Sequence, residues 1–383
     1  MRVGLAVMLC VAMVTGTASL ATAQVTERMA EHTIATGLDG AYQVLPIDMN
    51  RDQRPDLLFL SRTDAELVWF ENPTWQRHVI ATGLSSMVYL DAADTDGDGI
   101  PEVALAHGFS NQLSEEFPGN ISILTHQEDP AALWSIREID RMPRSHRIRF
   151  VDTEGNGKPV VVVLPITGVE AVGPDFRTPV PIFYYHPGEW TRMTLTEAEE
   201  GQMHGAFVTR WDGSQREAFL NASSLGITLN RYINGKWMRE TLTKGDPGPW
   251  PRSGASDIVV GALGQDRLLS AIEPFHGNQI VVYARTEGTW QRQVIDDSLE
   301  NTHTMAVADL DGDGHDEIIA GVRGGSKQVF LYTRDTSGTW TREILDRSEL
   351  SPTVCETVDL NVDGLIDVVC TGDAGSLKWY ENR

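Results

Sequence analysis

The sequence predicts an all-β fold, a seven-bladed β-propeller whose N-terminal strand closes the ring inside the last blade. Three observations carry this: Trp-closed turns at a nearly constant interval, aspartate-rich loops between them, and chain ends that repeat interior segments. The Trp-closed turns end at Trp75, Trp134, Trp190, Trp237, Trp290 and Trp340, spaced 59, 56, 47, 53 and 50 residues apart. About 50 residues per unit suits a four-stranded blade better than a helical repeat.

The strands follow from the residues around each turn. Gln279-Ile280-Val281-Val282-Tyr283 and Gln328-Val329-Phe330-Leu331-Tyr332 precede turns and are rich in β-branched and aromatic side chains. Alternating stretches such as Arg77-His78-Val79-Ile80 and Arg342-Glu343-Ile344-Leu345 follow them. No segment sustains a helical period, so little or no helix is expected. Acidic loops mark five units, at Asp48–Asp56, Asp94–Glu102, Asp152–Gly157, Asp309–Glu317 and Asp359–Asp367. Two eroded loops, near Asp212-Gly213 and Gly264-Gln265, bring the count to seven. His32-Thr33-Ile34-Ala35-Thr36-Gly37-Leu38 nearly repeats His78-Val79-Ile80-Ala81-Thr82-Gly83-Leu84, an outermost strand. Lys378-Trp379-Tyr380-Glu381-Asn382 nearly repeats Val68-Trp69-Phe70-Glu71-Asn72, a third strand. The last blade therefore lacks a fourth strand, and the N-terminal segment supplies it, leaving no loose blade edge.

Composition bounds the function. The 383 residues are 41% hydrophobic and 22% charged, which is globular rather than disordered. Lys and Arg total 31 against 54 Asp and Glu, a net charge of −23, which argues against nucleic acid as a partner. Residues 1–23 read as a secretory signal peptide: Arg2, an apolar run from Val3 to Val14, and Ala21-Thr22-Ala23 before Gln24. Its removal takes Arg2 and leaves 30 − 54 = −24 on residues 24–383. No later run is long enough to span a bilayer, so a periplasmic or secreted product is expected.

The acidic loops carry the clearest chemistry. Carboxylates at positions 1, 3 and 5, glycine at 6 and an acid at 9 present the oxygen shell that Ca²⁺ prefers. Two loops are complete: Asp94, Asp96, Asp98 and Glu102, and Asp309, Asp311, Asp313 and Glu317. A third, Asp359, Asn361, Asp363 and Asp367, is nearly so. In the first loop Gln53 replaces the glycine, and in the third Val160 replaces the closing acid. Calcium in these loops would be structural; without metal they would be plain acidic turns.

The loops share one face of the ring, so function is sought on the other. Six residues before the first loop aspartate, at the start of an innermost strand, stand His303 and His146, with His204 one place off register. His276, within Glu273-Pro274-Phe275-His276-Gly277, joins them from a loop on the same face. Converging neutral imidazoles can bind a transition metal such as Zn²⁺, exchange protons near neutral pH, or simply line the channel. His107 is a weaker candidate. Arg141, Arg144 and Arg147 are expected around His146, with Trp250, Arg252, Arg323 and Glu273 as further contacts for an anionic or hydroxyl-rich ligand. Cys355 and Cys370 fall almost opposite each other on adjacent strands, as a disulfide or as two buried thiols.

The aspartate loops resemble those of the FG-GAP/VCBS propellers across nearly the whole chain beyond the leader. Glu273-Pro274-Phe275-His276-Gly277-Asn278 with Val281-Val282-Tyr283, and His303-Thr304-Met305-Ala306-Val307-Ala308-Asp309, look like the propeller domain of aldos-2-ulose dehydratases. That resemblance implies elimination of water from keto-sugars at a metal-assisted site, with His303, His276 and His146 at the matching positions. The family carries additional cupin domains, for which the seven units leave no residues. The expected function is a lyase or dehydratase acting on a carbohydrate or keto-sugar; a non-catalytic glycan- or protein-binding propeller is the alternative.

Overall fold

The computed structural model describes residues 25–111 and 118–383, so the expected signal peptide lies outside the described residues. Seven four-stranded antiparallel sheets form a closed ring. Their innermost strands are Ala41–Ile47, Tyr89–Ala93, Ser145–Val151, Met203–Thr209, Asp257–Leu263, Thr302–Ala308 and Pro352–Val358, one per blade in chain order. Each packs against its neighbours around a central channel. The expected Trp residues stand at or just before the outermost strands, such as Gln76–Ala81 and Lys236–Thr243. The one helical element among the described residues is a 3₁₀ turn at Val25–Arg28. None is long and apolar enough to cross a membrane.

Ring closure is as expected. The strand Met29–Thr36 pairs antiparallel with the last strand, Ser376–Asn382, and completes blade 7. His32 stacks on Trp379 and bonds Glu381, just as His78 stacks on Trp69 and bonds Glu71 in blade 1. Cys355 and Cys370 are cross-strand partners joined by a disulfide, which ties the innermost strand of blade 7 to the second.

Burial between blades supplies the cohesion. Trp69, Tyr185, Tyr283, Tyr332 and Tyr380 are fully buried. Three of these tyrosines also reach the preceding blade. The hydroxyls of Tyr185 and Tyr332 donate to Asp140 (2.6 Å) and Asp296 (2.7 Å), and that of Tyr380 to Asp346. Arg192, Arg342 and Lys378 join the same three aspartates. Each seam thus combines an aromatic wedge with a charge-assisted bond from one blade to the outermost strand of the last.

The acidic loops turn through left-handed backbone that glycine adopts freely. Gly97 and Gly312 hold φ of +84° and +78°, but Val362 holds the equivalent place in blade 7 at +61°. A β-branched residue is strained there. Val362 is 54% exposed and has little packing to lose, so Val362→Gly should stabilise the protein by about 1 kcal/mol, read as a raised denaturation midpoint.

Candidate functional site

Four imidazoles meet at one mouth of the channel, and local backbone irregularity puts them there. In blades 3, 4 and 6 the register between the first two strands slips at His146, His204 and His303 respectively, leaving each without a cross-strand partner. A β-bulge re-aims the extra side chain, here toward the channel. Tyr42 and Thr353 occupy the same bulge position in blades 1 and 7. Blade 5 has no bulge and contributes His276 from the loop after its second strand.

Ring centroids of His204 lie 4.8 Å from His146, 4.8 Å from His276 and 5.2 Å from His303; His276 and His303 are 5.1 Å apart. Ligand nitrogens of His204, His276 and His303 fall within 4.8 Å of one another. Nδ1 of His303 donates to the Thr353 carbonyl (2.8 Å), which leaves the Nε2 lone pair for the cluster. Nε2 of His276 is buried without a hydrogen-bond partner. These donors fit a divalent metal that favours imidazole.

Two guanidiniums flank the cluster. Arg147 donates to Nδ1 of His146 at 3.0 Å and lies 3.2 Å from the ring nitrogens of His204. Arg323 is 3.4 Å from Nε2 of His303 and is held by Asp373 through two bonds of 2.7 and 3.0 Å. Burial first, and neighbouring positive groups second, hold His146, His204 and His303 well below the usual imidazole range. The same causes lower His276 to about 4. All four are therefore neutral at pH 7, the form in which an imidazole ligates a metal.

Several expected contacts lie elsewhere. Glu273 is fully buried beneath the His276 loop, accepting bonds from the Tyr283 hydroxyl and Arg292 Nε (2.8 Å). It positions the loop rather than facing a ligand. Arg144 turns away from His146 to the carbonyls of Gly168 and Ala171, and Arg141 pairs with Glu138 on an outermost strand. Trp250 donates to the Asp175 carbonyl under the Arg177 guanidinium, and Arg252 is exposed; neither has a contact with the cluster among the bonds and ring pairs described. His107 bonds Ser122 and stays apart from the four. Tyr42, six residues before the blade 1 loop, lies edge-on to His303; unanticipated members are Phe109, edge-on to His146, and Arg62, which lies over both aromatic rings.

Beneath the cluster a cavity of about 340 Å³ continues down the channel past Tyr89, Asp91, Arg149, Asp257 and Glu356. Asp91, Arg149 and Glu356 each stand three residues before a loop's first aspartate, a periodicity readable in the sequence. Enclosure raises Asp257 to about 6 and Glu356 to about 7; Arg149 opposes the Glu356 shift, while Asp91 and Asp257 reinforce it. A carboxyl raised on folding contributes stability below its unfolded pKa and loses it as pH rises through the folded value. Stability should therefore decline between about pH 4 and 7 from these two carboxyls. Glu356→Gln should gain about 1–2 kcal/mol over wild type between pH 5 and pH 8, measured by denaturant titration at each pH.

On the opposite face, the loops of blades 2 and 6 each bring three carboxylates within 4.8 Å: Asp94, Asp96 and Glu102, and Asp309, Asp311 and Glu317. Asp94 accepts from the amides of Gly97 and Gly99, and Asp309 from those of Gly312 and Gly314, which fixes both turns. One oxygen of Glu102 takes both Thr95 donors; the other, Oε1, is buried and unpartnered. Burial, with the loop aspartates adding, raises Glu317 to about 8. This donor chemistry fits Ca²⁺. Blade 7 uses its closing acid more fully within the fold. The two oxygens of Asp367 accept from the Leu360 and Asn382 amides, and Asn361 Nδ2 donates to Asp363, so the closing acid is used within the fold. Asp56 of blade 1 is used the same way, by Met49 and Asn72.

Comparison with known proteins agrees with this architecture. Residues 118–286 match the family model of the aldos-2-ulose dehydratase β-propeller domain, and residues 48–105 match an FG-GAP-like repeat. The first match includes His146, His204 and His276. An aldos-2-ulose dehydratase of Phanerodontia chrysosporium is 24% identical over 276 residues, covering 64% of this chain. The chain spans 30% of that protein's length. Two solved structures share the fold at 14% identity. A streptogramin B lyase has a TM-score of 0.59, with 94% of this chain and 100% of its own covered. An Agrocybe aegerita lectin, described for specific recognition of non-reducing terminal N-acetylglucosamine, has a TM-score of 0.52, with 82% of each chain covered.

Proposed function

We propose that this seven-bladed propeller, similar to the propeller domain of aldos-2-ulose dehydratase, is an exported carbohydrate lyase or dehydratase. Its active face would be the histidine cluster, and calcium in the loops of blades 2 and 6 would hold its other face. The observation that carries the reading is the meeting of four neutral imidazoles from four blades, three buried and His276 half-buried, between two guanidiniums. Three bulges and one loop deliver them to one point.

His204, His276 and His303 would hold a divalent metal such as Zn²⁺, which supplies Lewis acidity toward a carbonyl oxygen. His146, outside those three, would accept the proton on the carbon next to the carbonyl. Its Nδ1 is held by Arg147, and it becomes available when the guanidinium turns to a substrate oxygen. Arg147 and Arg323 would bind the oxygen on which negative charge develops. Phe109, Phe275 and Tyr42 surround the rings and limit water. The carbon–oxygen bond two carbons from the carbonyl would then break, the departing oxygen taking up the abstracted proton and leaving as water or an alcohol, with a conjugated double bond left in the sugar.

The test is metal analysis of residues 24–383, wild type against His303→Ala, with a screen of keto-sugars and uronate-containing glycans for new conjugated double bonds. One equivalent of metal lost in the variant, together with turnover by wild type, supports the reading. Sugar binding without turnover or metal would make the face a recognition surface instead.

A further inference from the structure

Beside the cluster lies a second, larger cavity of about 750 Å³, bounded by His276 and Phe275 on one side and by residues 166–176 on the other. Its far wall belongs to the connection between the second and third strands of blade 3, residues 166–178. This connection is braced from both ends. Arg144 NH1 donates to Thr167 Oγ1 (3.0 Å), Gly168 O (2.6 Å) and Ala171 O (3.1 Å). At the other end Trp250 Nε1 donates to Asp175 O (2.6 Å). So braced, it holds Val172 77% exposed and Val169 43% exposed at the cavity's edge. Apolar side chains held open to solvent around a concavity mark a surface that something covers. Phe275 adds an aromatic wall, stacked on His276 at 4.4 Å between centroids. Asn111, Thr167 and Gln202 are uncharged polar groups in its lining, and Arg144 and Glu170 the charged ones.

The cavity and the cluster share His276, whose Nε2 is buried and unpartnered. A molecule reacting at the cluster would therefore extend into the cavity through whatever it carries next to the reacting carbons. Loss of water alone would leave that space unused. Resting on the lyase reading above, we propose that the cavity receives an aromatic or similarly apolar group carried on the departing oxygen. The reaction would then release an alcohol or phenol rather than water. The carbon–hydrogen bond next to the carbonyl breaks to an imidazole and its electron pair forms the new double bond. The carbon–oxygen bond breaks, and the departing oxygen receives the proton. Substrate becomes enone plus alcohol, with no oxidant or reductant consumed.

Non-reacting probes test the cavity and reactive ones test the chemistry. Methyl and 4-nitrophenyl glucosides are titrated by calorimetry into wild type, Val172→Asp and Phe176→Ala. The aryl ligand should bind wild type at least tenfold more tightly, the effect of burying roughly 60 Å² of apolar surface at about 25 cal/mol/Å². Val172→Asp should abolish the preference without changing methyl glucoside binding, and Phe176→Ala should reduce it. Equal affinities in wild type would overturn the proposal. The corresponding 3-keto-glucosides, whose glycosidic oxygen lies two carbons from the carbonyl, are then assayed for elimination. Elimination from both with equal kcat/KM overturns the cavity's role and leaves the lyase reading standing. An aryl preference in binding, with elimination from neither, keeps the apolar subsite and overturns the proposed leaving group, while the lyase reading stands or falls by its own screen.

Discussion

Chelating calcium should lower the melting temperature by about 10 °C, and restoring Ca²⁺ should return it. Two sites each held at about a hundredfold excess over their dissociation constants contribute about 5 kcal/mol together. A domain of this size shifts by roughly 2 °C per kcal/mol. The sign follows from the loops of blades 2 and 6, where three carboxylates each converge within 4.8 Å. Without a cation those charges repel and the buried Oε1 of Glu102 stays unsatisfied. Asp311→Ala should remove about half of the calcium response. Asp367→Asn in blade 7 should behave otherwise, lowering stability equally with and without Ca²⁺, because Asp367 serves the Leu360 and Asn382 amides. A melting curve that chelator leaves unchanged would rule out a structural ion in these loops.

The closing residue explains this difference between loops, and the sequence alone left it unread. Glu102 and Glu317, one methylene longer, each bond the start of their own hairpin. Asp56 and Asp367 additionally take the amide of a third-strand asparagine, Asn72 or Asn382. By contrast, the fold was legible because its signals are periodic and local: Trp-closed turns, aspartate loops, and chain ends that copy interior segments. The histidine positions were legible by counting back from the loops. The reason they converge was not, since a bulge obeys no side-chain alternation and His204 already stood one place off register. Counting back three residues rather than six would have found Asp91, Arg149 and Glu356. Glu273, Arg144 and Trp250 were assigned to the ligand because they stand beside the right segments in sequence. Their partners come from Arg292, the blade 3 connection and Asp175, contacts no linear pattern encodes. The cavity beside His276 has no motif at all, because a 13-residue connection without repeat character forms its wall.

His303→Ala should reduce kcat/KM by about 10³-fold or more while costing about 1–2 kcal/mol of stability. The two effects separate because the side chain makes few contacts that hold the fold. Its one strong bond is to the Thr353 carbonyl, whose loss leaves a buried acceptor beside a small void. In the cluster it lies 5.1 Å from His276 and 5.2 Å from His204, and Arg323 reaches its Nε2. On the proposed reading its removal would delete a metal donor, while Arg323 would stay held by Asp373. Arg323→Lys distinguishes these contributions. Lysine keeps the positive charge but cannot reproduce the two-pronged bond to Asp373. It should retain the metal and lose about 10–100-fold in kcat, whereas His303→Ala should lose both metal and turnover. If His303→Ala keeps full activity, or if Arg323→Lys loses metal as completely as His303→Ala does, the roles assigned to the two residues are wrong.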